Sequence, residues 1–120
     1  MLLHLLRGFG GRVRETILNQ PSGREAYQPA GTTLDWTIDE SAEMTATADT
    51  INTASVVWTL PVGLTAGTIV NTTTKSSIFI VAPADPVSEP YRCTLTFQTT
   101  GGRTRVKAFW LYVLDPILFT

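Results

Sequence analysis

The carboxylates Asp39, Glu40, Glu43 and Asp49 crowd one polar stretch and are the chain's best candidates for chemistry. Grouped acids can hold a calcium ion in a loop or form the carboxyl pair of a glycoside hydrolase. The spacing here matches the signature of neither, so a solvated acidic loop is the expectation. Arg103, Arg105 and Lys107 alternate along another segment and so share one face of a strand. Such a row either discourages edge-to-edge pairing or meets an acidic surface on a neighbour. Cys93 is the single cysteine, so no intrachain disulfide forms, and its apolar row makes it a small buried hydrophobe. His4 is the single histidine, and no rigid pocket around it would orient it as a base. Clusters of Cys and His at zinc-site spacing are missing from the sequence. Gly8-Phe9-Gly10-Gly11-Arg12 lacks the lysine and the preceding strand of a phosphate loop. No catalytic residue, metal or cofactor is expected.

The elements that would position these groups are strands. In Tyr91 to Gln98, apolar Tyr91, Cys93, Leu95 and Phe97 alternate with Arg92, Thr94, Thr96 and Gln98. A period of two puts an apolar row on one face and a polar row on the other. Thr99-Thr100-Gly101-Gly102 supplies a reversal. The return strand starts with the alternating basic row and ends in Phe109-Trp110-Leu111-Tyr112-Val113, apolar on both faces, which needs a cover on each side. Upstream, Leu34, Trp36 and Ile38 alternate with acids and threonine, Met44 to Ala48 suggests a short strand, and Ala54 to Leu60 reads as a strong one. Thr68–Asn71 and Ser77–Val81 complete the set, and Pro83, Pro86 and Pro90 punctuate the loop before the hairpin. The pattern predicts an all-β chain: an immunoglobulin-like antiparallel β-sandwich of six or seven strands with an extended N-terminal arm. Tyr91 two residues before Cys93 has tyrosine-corner spacing, with Trp58 as a candidate inter-sheet tryptophan.

The ends differ from this body. Residues 1–30 read as an extended arm, 31–114 as the sandwich and 115–120 as an apolar tail. Within the arm, Arg12 to Asn19 is long enough for one short helix, marginal by itself. Leu2, Leu3, Leu5, Leu6 and Phe9 of the arm, and Ile117, Leu118 and Phe119 of the tail, are candidate partner contacts because surfaces this apolar want cover. Arg103, Arg105 and Lys107 join them as a charged contact row.

Charged residues make up 16% of the chain, below the usual share of about 25%, and the net charge is −1. That balance speaks against nucleic-acid binding, which wants a strong basic excess. The charge is uneven: +2 over residues 1–30, −6 over 31–90 and +3 over 91–120, a polarity suited to heterologous packing. The apolar start lacks the basic flank and length of a signal peptide, and no run approaches a membrane span. Neither the usual secretion route nor a membrane is expected.

Two segments carry a family likeness. One is Asp49-Thr50-Ile51 followed by Ala54 to Thr65, a tryptophan strand ending in Pro61-Val62-Gly63-Leu64. The other is Tyr91-Arg92-Cys93-Thr94-Leu95 running through Gly102-Arg103-Thr104 into the last strand. With Asp35-Trp36 upstream, residues 33 to 114 resemble the small immunoglobulin-like proteins of tailed bacteriophages called fiber–tail adaptors. The resemblance implies a structural virion protein made in the host bacterial cytoplasm and residing in the tail or neck. It implies several copies in a symmetric assembly, other virion proteins as partners, and no catalysis. A capsid decoration or cement protein is the alternative within that class. A carbohydrate-binding module is the alternative outside it; Trp36, Trp58 and Trp110 all sit in alternating or core-like positions and are expected to be buried, which disfavours it.

Overall fold

The computed structural model describes residues 15–17 and 24–119. The strands are β1 (Glu15–Ile17), β2 (Arg24–Pro29), β3 (Thr33–Asp39), β4 (Val57–Thr59), β5 (Thr65–Asn71), β6 (Lys75–Val81), β7 (Tyr91–Gln98) and β8 (Thr104–Leu114). A short helix, α1 (Ser41–Ala46), follows β3. The first sheet runs β1-β3-β6-β5 and the second β2-β8-β7-β4. The chain is therefore an all-β sandwich, as the alternation predicts.

The core lies between the sheets because each strand's apolar row faces inward. Trp36 and Ile38 of β3, Ile78 and Ile80 of β6, Cys93, Leu95 and Phe97 of β7, and Phe109, Leu111 and Val113 of β8 are all buried. Trp58 enters the same cluster half-buried, its ring edge-on to Phe109 at 6.4 Å. Tyr91 crosses over the loop before β5 and stands so close to Gly63 that a β-carbon there would lie 2.6 Å from its hydroxyl. Gly63 also has φ of 113°, so this loop fits beneath Tyr91 only with glycine.

Several expectations need correction. The sandwich does not begin at residue 31. Arg24–Pro29, assigned to the arm, is β2, and it pairs in parallel with β8 from Arg24 against Phe109 to Pro29 against Leu114. The last strand is apolar on both faces and needs a neighbour on its free edge, and β2 supplies it. β1 likewise pairs in parallel with β3, where the sequence suggested a helical turn. Two of the ladders are thus parallel, and the strand number among the described residues is eight. Met44–Ala48 is not a strand: α1 occupies Ser41–Ala46 and points Met44 into the core. The strand expected over Ala54–Leu60 shrinks to β4, because Asn52 accepts the Ala54 N–H and starts a 3-10 turn at Thr53–Ser55.

The two sheets are also tied by a buried polar link. Gln28 on β2 is 0% exposed, and its Oε1 accepts the Trp36 indole N–H from β3 at 2.8 Å. Its amide nitrogen donates to the carbonyls of Thr32 at 3.0 Å and Ile80 at 2.9 Å. A buried amide left without partners would cost several kcal/mol, roughly 2–7 by transfer scales. Here both donors and one acceptor site are engaged. A second link joins the Trp58 indole N–H to the Ser76 hydroxyl at 2.9 Å, which in turn donates to Asn71 at 2.6 Å.

Candidate functional site

The acidic segment and the basic row meet within one chain. The inward row of β8 is apolar through Val113, Leu111 and Phe109, then becomes Lys107 and Arg105 where α1 replaces the first sheet as its cover. Lys107 lies 3.6 Å from both Glu40 and Glu43, and Arg105 pairs with Glu43. Arg103 reaches Asp49 at 2.7 Å. Arg103, Arg105 and Lys107, the charged contact row of the sequence reading, thus meet an acidic surface supplied by this chain's own residues 40–49. Their charges clamp α1 and the loop after it onto the second sheet. Neither a solvated acidic loop nor a carboxyl pair with room for substrate describes this arrangement.

The titration of the cluster follows from its packing. Burial pushes the Glu40 carboxyl above its ordinary range, against the pull of Lys107 and then Arg105. The Glu40 side chain is 3% exposed, so its lost hydration outweighs its partners. Asp49 behaves oppositely. The Thr99 hydroxyl foremost, then the Thr50 N–H, the Thr100 hydroxyl and the Gly101 N–H, hold its carboxyl well below the usual range despite the opposing effect of burial. The Asp49 Oδ1 accepts the Gly101 N–H at 2.9 Å and the Thr100 hydroxyl at 3.0 Å, so one carboxylate organises the β7–β8 turn. Asp49→Ala is expected to speed amide hydrogen exchange at Gly101 while leaving exchange in the β7–β8 ladder unchanged. Because the folded Asp49 is the stronger acid, its contribution is present above the ordinary carboxylate pKa of about 3.9 and lost as pH falls below it. Exchange at Gly101 in the native protein should accelerate over that acid range relative to the Asp49→Ala variant.

Cys93 is fully buried, and burial pushes its thiol up to about 12, so it stays protonated and out of reach. Among the described residues, no group of three or more His, Cys, Asp or Glu is placed to hold a metal ion. Among the same residues, no helix is long and apolar enough to cross a membrane.

The solvent-facing sides of the sheets carry the remaining candidates. On the second sheet, Val57, Thr96 and Val106 form one row across β4, β7 and β8, and Thr59, Thr94 and Ala108 form the next. Val57 and Val106 are exposed, and no charge falls in these rows. Further along, Trp110 is half-buried with the Arg92 guanidinium 5.6 Å from its ring centre. This corrects the expectation of a buried Trp110: it sits on the outer side of β8, where Arg92 covers it. Beside it, Tyr27 and Tyr112 stack at 5.3 Å, and the Tyr27 hydroxyl donates to Glu25 at 2.6 Å. Burial, then that bond to a carboxylate, pushes Tyr27 up to about 12. On the first sheet, Phe79, Val81 and Val70 form an exposed apolar group.

Of the terminal candidates, Leu2, Leu3, Leu5, Leu6 and Phe9 lie outside the described residues. The tail does not extend away from the body: Pro116–Phe119 turns as a 3-10 helix against β2, leaving Ile117 and Leu118 exposed and Phe119 half-buried. Sequence reasoning missed Gln28 and the outer threonine–valine rows. The rows were visible as polar and apolar alternation in β7 and β8, but only the pairing with β4 assembles them into a surface.

No family model matches the chain, and no curated protein matches it. Among solved structures, it is similar to the solution structure of Amebosin, at 11% identity and a TM-score of 0.48 over 84% of this chain and 98% of that one. It is also similar to a 2,6-sialyltransferase from a Vibrionaceae Photobacterium species, at 12% identity and a TM-score of 0.42. That match covers 88% of this chain and 19% of the enzyme. Likenesses at this level carry no functional argument.

Proposed function

We propose that the chain is a structural subunit of a tailed-phage virion, an adaptor of the fiber–tail type that joins neighbouring virion proteins and catalyses nothing. The sequence likeness over residues 33 to 114 supports the class. The observation that carries a contact role is the pair of charge-free rows across β4, β7 and β8 on the outer side of the second sheet, where Val57 and Val106 are 55% and 57% exposed in one row. Three strands about 4.8 Å apart, paired over the three residues of β4, present roughly 140 Å². A stable pairwise complex buries about 800 Å² per partner, so this surface works through repetition. Several copies in a symmetric assembly let weak contacts add through effective concentration.

The test is incorporation. Val57→Lys with Val106→Lys alters only exposed positions, so the variant should fold normally and be lost from purified particles at least tenfold. Copy number then separates the locations. Stoichiometry matching the single tail vertex supports an adaptor, and stoichiometry matching the capsid lattice replaces it with a cement protein. Particles that lack the wild-type chain overturn the virion reading.

A further inference from the structure

We infer that the chain pairs with a second copy of itself through the open edge of β5, strand against antiparallel strand, with Val70 on the two-fold axis. Among the described residues the sheets end in β1 and β5 on one side of the sandwich core and in β2 and β4 on the other. An open edge invites a further strand unless it is short, charged or broken by proline. β1 has three residues and carries Glu15. β2 carries Arg24 and Glu25 and ends at Pro29. β4 has three residues, with Pro61 two positions beyond its end. β5 has seven residues with neither a charge nor a proline, and no described strand pairs with its outer side. Its one protective device is a bulge between Ala66 and Ile69, which leaves Ile69–Val70–Asn71 in regular register with β6.

The backbone of that regular stretch selects the occupant. The Thr72 N–H donates to the Lys75 carbonyl at 2.8 Å, so these two form a bonded pair at the end of the β5–β6 ladder. Bonded and non-bonded pairs alternate along an antiparallel ladder. Val70 opposite Ser77 is therefore bonded, whereas Ile69 and Asn71, opposite Ile78 and Ser76, turn their N–H and C=O groups to the open edge. Only an extended strand meets both residues at once. With Val70 facing the second copy's Val70, Ile69 faces its Asn71 and exchanges two bonds, and the two-fold axis repeats the exchange. The two Val70 residues then form a non-bonded pair with Cα atoms about 4.5 Å apart, close enough for their side chains to touch. Val70 is 54% exposed and Ile69 43%, although Ile69 lies on the core side opposite buried Ile78. Both lose that exposure in the pair. A second copy fits because the stretch matches itself, with an apolar residue at its centre and no charge to repel. Pairing about a two-fold axis uses up both edges, so assembly stops at two. Three residues a side bury far less than the about 800 Å² per partner of a stable complex, so the dimer is weak.

Sedimentation of the purified full-length chain tests the pairing. The average mass should rise toward that of a dimer between about 10 μM and about 1 mM, as mass action requires of a weak pair. Val70→Lys and Val70→Glu change only an exposed side chain, and each alone should stay monomeric. Mixed in equal amounts they should dimerise again, because opposite charges then face each other across the strands. A wild-type chain that stays monomeric throughout, or variants that dimerise singly as the wild type does, would overturn the proposal. A second measurement fixes the geometry. Under mild oxidation Val70→Cys should form a disulfide-linked dimer about tenfold faster than Val62→Cys, because the pair raises the effective thiol concentration. Val62 is 99% exposed but lies off the edge, and Cys93 is buried and silent. Equal rates also overturn it. These readouts use the purified chain alone, so their failure leaves the virion reading standing, and failed incorporation leaves the dimer standing.

Discussion

Gln28→Leu is expected to destabilise the protein by about 3 kcal/mol, seen as a lower urea midpoint at unchanged slope. The substitution keeps the volume and removes every polar atom. Trp36, 1% exposed, then keeps a buried N–H with no acceptor, at a cost of about 1–3 kcal/mol, and two bonds to the Thr32 and Ile80 carbonyls go as well. The loss is large because this one side chain on the second sheet reaches β3 and β6 of the first. Trp36→Phe removes the N–H and should cost less in the Gln28→Leu background than in the wild type. A double-mutant cycle should show coupling of about 1 kcal/mol or more. A neutral Gln28→Leu would show that apolar packing alone holds the sheets together.

Lys107→Met is expected to cost about 2–3 kcal/mol at pH 8 and much less at pH 5. Removing one partner of a buried ion pair strands the other charge, and such losses run about 3–5 kcal/mol in fully buried cases. Lys107 is partly exposed and Glu43 keeps Arg105, so the smaller figure applies. The pH sign follows from Glu40. Its folded carboxyl already binds its proton more tightly than the unfolded one, and losing Lys107 tightens it further. Stability therefore falls as pH rises from the ordinary glutamate value through the folded one, and it is regained on acidification. Glu40→Gln in the Lys107→Met background should restore most of the loss at pH 8 and flatten the profile. A loss that does not vary between pH 5 and pH 8 would place the effect in packing.

The last hairpin was legible because its information is local. Alternation over Tyr91–Gln98 and the doubly apolar end of β8 each name a face without reference to any other segment. β2 was hidden for the opposite reason. Its inward positions are Ala26 and Gln28, one small and one polar, and Gln28 is buried only because Trp36 and two carbonyls converge on it. A polar residue whose partners lie up to fifty-two positions away leaves no periodic trace. α1 is six residues long, too short for a helical period, and its place is fixed by Met44 in the core and Glu43 against Arg105. The acids and bases were visible as opposite clusters, and their pairing was not, since it requires the chain to bring residues 40–49 over the start of β8. Charge segregation along a sequence thus pointed outward to a partner when topology directs it inward.

Pairing β2 with β8 has a consequence for biogenesis. The edge of the second sheet waits for a segment made some eighty-five residues later, since Arg24–Pro29 finds its ladder only in Phe109–Leu114. During translation, Ala26 and Tyr27 stay without their neighbours until Leu111 and Tyr112 have emerged from the ribosome. Such distant pairing slows folding relative to helical chains of this size. It also makes nascent chains stalled before Phe109 prone to stick to one another, so a shortened product should be degraded or aggregate rather than persist as a partial module.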